Sequence, residues 1–150
     1  MREIKFRGKL INKYAEEWFY GDLIQVKDGT VDKKGNLVID YYIITDDYSS
    51  KYNKIELRTC QSPKVNADTI GQYTGLKDKN GVEIYEGDIL KISDEDTAIV
   101  KFNEKYSYFM LEPIQDYYFD SDVLGHELEY NKVEIIGNIW DNPELLKESD

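Results

Sequence analysis

The sequence is short of cysteine, proline and long hydrophobic runs. It has one Cys and three Pro in 150 residues, and no apolar stretch near its N-terminus. A single Cys cannot form an intrachain disulfide, which excludes a disulfide-stapled fold. Without an apolar run of suitable length, we expect neither a secretory signal nor a transmembrane helix. These absences predict a cytoplasmic protein that makes no membrane contact.

The residues that are present suit a β-sheet protein with its own core. Hydrophobic residues make up 41% of the chain and aromatic residues 13%, including 13 Tyr. This is enough apolar material for a packed core, and aromatic and branched side chains pack well on a pleated sheet. A chain of this length forms one domain or two very small ones.

Charge is divided unevenly between the two halves of the chain. The formal net charge is −11, with 12 basic and 11 acidic residues (+1) in the first 75 and 7 basic and 19 acidic residues (−12) in the last 75. The predicted basic edge consists of Arg2, Lys5, Arg7 and Lys9. The candidate acidic interaction surface consists of Asp94, Glu95, Asp96, Asp116, Asp120 and Asp122. Two interpretations stay open, a bipolar molecule that binds through these charges and a surface that is merely solubilising. The net charge argues against general nucleic-acid binding.

Alternation of apolar and polar residues predicts a series of short strands. The predicted strands are 3–10, 18–26, 37–44, 54–60, 69–76, 82–85, 89–92, 98–102, 106–111 and 133–140. In the first strand, Gly8 lies on the inner face, where it either lets a neighbour approach closely or marks a bulge. In the second, Trp18 and Tyr20 share one face. A role in the sheet core is favoured for them over a stacking platform for single-stranded nucleic acid.

Glycine next to Asp or Asn marks the predicted structural turns. They lie at Gly21-Asp22, Asn80-Gly81 and Gly87-Asp88. The first and third follow a Tyr and precede an apolar strand, which is either a faint internal repeat or chance. The second lies between two strand-like runs and predicts a two-residue type I′ hairpin with positive φ at both residues.

Short strands joined by tight turns predict a mainly β protein built as a small barrel or sandwich. Two stretches lack a clear pattern. Residues 45–53 are predicted to form a mobile loop, and residues 114–131 a connection that could hold one helical turn. The Asn-Pro-Glu run at 142–144 predicts a short C-terminal helix, because Asn caps a helix and Pro suits its first turn.

No catalytic motif is present in the sequence. Cys60 and the single His126 are far apart, so we predict no nucleophile–base pair. A carboxylate-rich group around the histidine offers the weakest alternative, a metal-dependent hydrolase acting through residues 114–131. Its members are Asp120, Asp122, His126, Glu127 and Glu129. We expect a protein that is not an enzyme, with no cofactor and no bound metal.

Four segments resemble the YopX family, small proteins encoded by phages and prophages of Gram-positive bacteria. They are IKFRGK at 4–9, WFYGDLI at 18–24, TIGQYTGL, DKNG and IYEGDI within 69–89, and IGNIW and NPELL within 136–146. The resemblance implies a mainly β fold with an SH3-like barrel in the C-terminal half and an N-terminal β unit packed on it. It also implies a homo-oligomer in the bacterial host cell and no known activity. We expect units at 1–68, with a variable loop, and 69–150, either separate or sharing a core.

Two functions follow as hypotheses. The first is a phage accessory protein that works as a non-enzymatic, oligomeric protein-interaction module, with a phage or host protein as partner. The alternative is an acidic decoy that shows the candidate acidic interaction surface to a host nucleic-acid-binding protein in place of phosphate.

Overall fold

The structure is a computed structural model that describes residues 3–11, 17–45, 62–94, 96–115, 122–130 and 132–147. Over these ranges the protein is mainly β, as predicted, and its strands pair antiparallel. The chain divides into two compact units, an N-terminal unit of residues 3–72 and a C-terminal unit that takes in residues 73–150. The predicted boundary between 68 and 69 lies within a 3₁₀ turn, Ala67–Thr69.

The described strands of the N-terminal unit have the spatial order β4-β3-β2-β1-β5. They are β1 (Phe6–Lys9), β2 (Trp18–Val26), β3 (Asp40–Ile44), β4 (Lys64–Val65) and the first residues of β5 (Gly71–Lys77). The strands predicted at 3–10, 18–26 and 37–44 are observed. The sequence does not predict β4, because two residues are too few to show an alternation. The strand predicted at 54–60, with Cys60, lies outside the described residues, as does the loop beyond Thr45.

β1 is an interior strand of this sheet. It pairs with β2 on one side and with the first two residues of β5 on the other. The guanidinium-bearing Arg7 is only 5% exposed. The prediction that these basic residues form an edge is therefore wrong. Alternation predicts which side chains share a face of a strand, but it does not predict whether the strand has neighbours on both sides. Lys5 lies 3.5 Å from the carboxylate of Glu3, and Arg2 lies outside the described residues.

At Gly8 a residue of β4 packs closely against β1. Val65 of β4 pairs with Tyr41 of β3 and also bridges to Leu10, just beyond β1. A Cβ atom at Gly8 would lie 2.9 Å from the Cβ and from one methyl group of Val65, which is 1% exposed. Of the two predicted roles for Gly8, close approach is therefore the one observed, and the sheet curls so that β4 reaches β1.

We expect Gly8→Ala to lower the free energy of unfolding by about 1–3 kcal/mol, because the added methyl group overpacks a buried site. Val65 cannot move aside easily, since it is bonded into strands on both sides. Denaturant unfolding measures the loss. In a Val65→Ala background the same substitution should cost less, because the smaller side chain leaves room. An equal cost in both backgrounds would contradict this contact.

Gly21 and Asp22 do not form a turn. They lie inside β2, where Gly21 pairs with Phe6 and Asp22 pairs with Ile44. Gly21 has a φ of +155°, and a Cβ atom there would lie 1.9 Å from the carbonyl oxygen of Ile44. The predicted turn is wrong because this glycine serves a close backbone approach within a continuous strand.

Among the described residues, the C-terminal unit contains the larger hydrophobic core. Its elements are the rest of β5, β6 (Glu83–Tyr85), β7 (Asp88–Lys91), β8 (Thr97–Asn103), β9 (Tyr108–Pro113), α1 (Leu124–Tyr130) and β10 (Glu134–Asn138). β5 pairs with β6, and the other four strands form a sheet in the order β10-β7-β8-β9. This order does not close on itself in the residues described, so the predicted SH3-like barrel is not confirmed.

Buried side chains from the sheet and the helix meet in this core. Its buried members are Ile84, Leu90, Ile92, Ala98, Val100, Phe109, Leu111, Leu124 and Val133. Leu128 packs against the same cluster four residues after Leu124, at the spacing of one helix face. This pair explains why residues 114–131 contain a helix. The predicted C-terminal helix is a single 3₁₀ turn, Pro143–Leu146. No described helix is long and apolar enough to cross a bilayer.

The hairpin at Asn80-Gly81 is present, but it is not of type I′. Gly81 has a φ of +81°, whereas Asn80 does not have a positive φ. The amide of Gly81 donates to the carbonyl of Asp78 at 2.9 Å, and the amide of Asp78 donates to the carbonyl of Val82 at 2.8 Å. This is a three-residue loop with glycine in the left-handed position. Asp78 favours it, because its Oδ1 accepts hydrogen bonds from the amides of Asn80 and Val82.

The same turn occurs in the N-terminal unit. Asp32 Oδ1 accepts from the amides of Lys34 and Asn36, at 2.8 and 2.9 Å. The amide of Gly35 donates to the carbonyl of Asp32, and Gly35 has a φ of +84°. The two Gly-Asp pairs that suggest a repeat in the sequence do not share a conformation. The segments that fold alike are 32–36 and 78–82.

Candidate functional site

Residues that carry the family resemblance form a packed cluster around Gly87. The amide of Gly87 donates to the carbonyl of Val100 at 2.9 Å, and the amide of Ile139 donates to the carbonyl of Gly87 at 3.0 Å. Gly87 has a φ of +84°, and a Cβ atom there would lie 2.2 Å from the ring of Trp140. Only glycine fits beneath this indole. The packing of Trp140 therefore requires glycine at this position of the turn between β6 and β7.

Polar side chains of the same motifs bond within the chain. Asp88 is 2% exposed, and its Oδ2 accepts from the amide of Tyr85 at 2.8 Å. In the loop after β10, Asn138 Oδ1 accepts from the amide of Trp140 at 3.1 Å, and Asn142 Oδ1 accepts from the amide of Asn138 at 3.2 Å. These polar side chains of the third and fourth segments therefore stabilise the fold.

One face of the N-terminal sheet combines aromatic and basic side chains. The Cζ of Arg7 lies 4.8 Å, and the Nζ of Lys9 5.7 Å, from the ring centre of Trp18. The register places Arg7 opposite Tyr20 and Lys9 opposite Trp18, so the four side chains share one face. Cations over an indole are attracted by its ring electrons. We call this face, with Ile24 and Val26, the outer face.

The outer face continues along β2 as an exposed apolar stripe. Tyr20 is 45% exposed, Val26 42% and Ile24 37%. These residues point to one side of the strand, and the exposed Asp22 lies between Tyr20 and Ile24 on the same side. The core role predicted for Tyr20 is therefore wrong. Alternation shows that Trp18 and Tyr20 share a face, but it does not show which face is covered.

The C-terminal unit has an apolar cleft of about 220 Å³ between the β8–β9 hairpin and the start of α1. Its apolar lining consists of Leu76, Phe102, Tyr108, Phe109, Val123 and Leu124. Phe102 and Val123 are each 39% exposed, and the ring of Phe102 lies edge-on to that of Phe109 at 5.2 Å. We call this feature the apolar cleft. The sequence does not predict it, because its lining comes from four separate segments.

An acidic group borders the apolar cleft. The hydroxyl of Tyr108 donates to the carboxylate of Asp122, whose oxygens lie at 2.9 and 3.0 Å. This hydrogen bond raises the pKa of the Tyr108 phenol, because losing the proton would bring two negative charges together. Asp122 therefore places a carboxyl group at the rim of the cleft.

The candidate acidic interaction surface is divided between two places. Asp94 and Asp96 lie in the turn between β7 and β8, and Asp122 lies beside β9. Asp94 accepts a hydrogen bond from Lys91, and Asp96 is bonded to Ser93. The remaining members, Glu95, Asp116 and Asp120, lie outside the described residues. The decoy hypothesis stays a prediction.

The candidate metal group is not brought together in the part of the chain that is described. There, no three His, Cys, Asp or Glu side chains are placed to hold a metal ion. His126 Nδ1 lies 3.8 Å from Glu127 Oε1 on α1, Asp122 is bonded to Tyr108, and Asp120 lies outside the described residues. The hydrolase hypothesis also stays a prediction.

Comparisons with known proteins show the family. The family model described as YopX protein matches residues 5–147. No curated protein matches the chain. Among solved structures, the chain is similar to the crystal structure of protein EF1440 from Enterococcus faecalis, with 25% sequence identity and a TM-score of 0.51. That similarity covers 98% of this chain and 100% of the other. With a family match over nearly its whole length, this chain belongs to the YopX protein family.

Proposed function

We propose that this protein is a non-enzymatic interaction module that assembles head to tail, with the outer face of one copy bound to the apolar cleft of the next. The observation that carries the proposal is the exposed stripe of Tyr20, Ile24 and Val26. A run of exposed apolar side chains bordered by charged residues is typical of a protein contact site. Tyrosine at the centre of such a surface often carries much of the binding energy.

Charge supports a second copy of the chain as the occupant. The outer face presents Lys9 beside Trp18, with Asp22 further along β2 and Arg7 buried beneath, and the apolar cleft is bordered by Asp122. The first half of the chain has a net charge of +1 and the second half −12, so the two surfaces attract one another. A contact between two different surfaces produces a ring or an open chain. In an open chain, the outer face at one end stays available to a phage or host protein.

The scaffold that we infer for the C-terminal unit is an SH3-like barrel. The order β10-β7-β8-β9 supports it, since the last strand of the chain returns to lie beside an early strand of the unit. β5 and β6 form a further antiparallel pair in the same unit. In such a scaffold the β8–β9 hairpin and α1 form the apolar cleft. A cleft of this kind can bind a partner without any catalytic group.

We expect the protein to have a mass of several chains at about micromolar concentration, a range typical of specific contacts. Tyr20→Ser should weaken assembly about 30-fold or more, because it removes a central aromatic side chain from the contact. Light scattering and sedimentation measure the mass of the assembly and its loss in the Tyr20→Ser variant. Val31→Ser is the matched control, since Val31 is 60% exposed but lies off the outer face. A single-chain mass of 17.6 kDa at this concentration would overturn the proposal.

Mixing two variants tests the head-to-tail arrangement. Phe102→Ser should also prevent assembly, with Val123→Ser as a second variant in case the first unfolds. Tyr20→Ser retains an intact cleft, and Phe102→Ser retains an intact outer face. Their mixture should therefore form a dimer that neither variant forms alone. If the mixture stays monomeric while both variants are folded, the two surfaces do not bind one another.

A further inference from the structure

A polar cleft of about 370 Å³ lies elsewhere in the C-terminal unit. Its walls come from the 78–82 hairpin, the turn that follows β7, and the start of β10. The charged side chains that line it are Lys79, Lys91, Lys132, Asp94 and Glu134. None of these residues belongs to the outer face or to the apolar cleft, so this cleft is independent of the proposed assembly.

The charges in this cleft are unusual for so acidic a chain. Three ammonium groups face two carboxylates, a local net charge of +1 in a protein of −11. Lys79 is paired with Glu134, and Lys91 Nζ lies 3.0 Å from Asp94 Oδ1. Lys132 forms no ion pair with any residue that the structure describes. Within the described residues, Lys132 is therefore the positive charge that remains for a ligand.

The two ion pairs differ in how firmly they are held. Glu134 is bonded to both Lys79 and Asn80, and these contacts hold the pKa of Glu134 below its usual value. Asp94 has a side chain that is 99% exposed and is paired with Lys91. An exposed ion pair contributes little in water, so Lys91 can leave Asp94 for another anion at small cost. Lys79 is thereby fixed as part of the wall, while Lys91 and Lys132 are free to bind.

We propose that this cleft binds the phosphate group of a small phosphate ester through Lys91 and Lys132. A phosphate carries close to two negative charges at neutral pH, which matches the two lysines better than a single carboxylate does. The cleft volume is at the lower end of the range for small-molecule sites, so the rest of the ligand is small. The lining is polar apart from Ile92, which suits a polyol rather than an apolar group.

Amide NMR of the full chain tests the site with inorganic phosphate and glycerol phosphate in separate titrations. Both should cause saturable shifts at residues 79, 91 and 132, and the ester should bind more tightly. Chloride at equal ionic strength should not. Lys132→Ala should weaken binding about tenfold or more, because it removes a charged hydrogen-bond donor. Asp94→Asn should tighten it about twofold or more, because it releases Lys91.

Lys101→Ala is the matched control. Lys101 is likewise an exposed lysine of the C-terminal unit, paired with Glu112, but it does not line the cleft. Its loss should leave phosphate binding unchanged. Equal weakening by Lys101→Ala and Lys132→Ala would show non-specific attraction and overturn the site. Shifts that do not saturate, or that chloride reproduces, would overturn it as well.

Discussion

Gly87→Ala should lower the free energy of unfolding by about 2–5 kcal/mol, a large share of the stability of a small protein. The backbone contributes about 1–2 kcal/mol, because φ is +84° and a Cβ atom is unfavourable there. The clash with Trp140, 2.2 Å from the added Cβ, contributes about 1–3 kcal/mol. The turn cannot move away, since it is hydrogen-bonded to Val100 and to Ile139. Denaturant unfolding measures the loss.

Gly81→Ala separates the two contributions. Gly81 has nearly the same φ, +81°, but nothing lies within 4 Å of its Cβ position. It should lose only the backbone part, about 1–2 kcal/mol. Trp140→Leu should reduce the additional cost of Gly87→Ala, because it removes the ring that the new methyl group meets. Equal losses for the two glycine variants would mean that the indole does not cover the turn.

Asp78→Ala is expected to cost about 2–3 kcal/mol, because it removes a buried carboxylate that accepts from three part-buried backbone amides. Asp78 is 7% exposed and accepts from the amides of Asn80 and Val82, and its Oδ2 accepts from the amide of Ile135 at 3.2 Å. Burial alone would raise the pKa of Asp78, but the hydrogen bonds from Val82, Ile135 and Asn80 outweigh it and hold the pKa below its ordinary value.

The sign of this pKa shift predicts how the cost depends on pH. A carboxyl group whose pKa is lower in the folded state adds stability above its unfolded pKa, and that stability is lost as the pH falls through the folded value. The difference in unfolding free energy between the natural chain and Asp78→Ala should therefore narrow as the pH falls from about 5 to about 2. Urea unfolding over this range measures it.

Asp32→Ala is the control for Asp78→Ala. Asp32 makes the same pair of bonds within its turn, to the amides of Lys34 and Asn36, but in an exposed loop where water can replace it. In the described part of the chain, the other oxygen of Asp32 accepts only from the side chain of Asn36, so it has no equivalent of the bond between Asp78 and Ile135. Its substitution should change stability little. A comparable loss in both variants would show that the local turn matters and that the link to β10 does not.

The paired turns show why sequence reasoning succeeds locally and fails at longer range. Alternation places β1 and β2 correctly, and Asn80-Gly81 marks a turn at the right residues although not of the predicted type, since both signals depend on neighbouring residues only. Nothing near Asp78 in the sequence indicates that its carboxylate reaches Ile135, because that contact depends on the packing of β10. The exposure of Tyr20 and the burial of Arg7 likewise depend on long-range packing, because other parts of the fold decide which face of a strand is covered.

The candidate sites also depend on long-range packing more than on neighbouring residues in the sequence. The motifs that identify the family are the ones that sequence comparison detects, and in this chain they hold Gly87 and Trp140 together. The outer face and the polar cleft bring together side chains from separate segments, such as Lys9 with Trp18 and Lys91 with Lys132. Their assembly depends on register and on strand order, which composition and spacing do not determine.

The interior position of β1 has a consequence for synthesis on the ribosome. β1 obtains β2 as a neighbour early, but its second neighbour is residues 71 and 72, which emerge much later. Until then the nascent sheet has an open edge, and open edges invite pairing with other chains. Joining segments so distant in sequence is also slow, because a long loop must close first. The emergence of β5 therefore ends the interval in which the nascent chain is most exposed to aggregation.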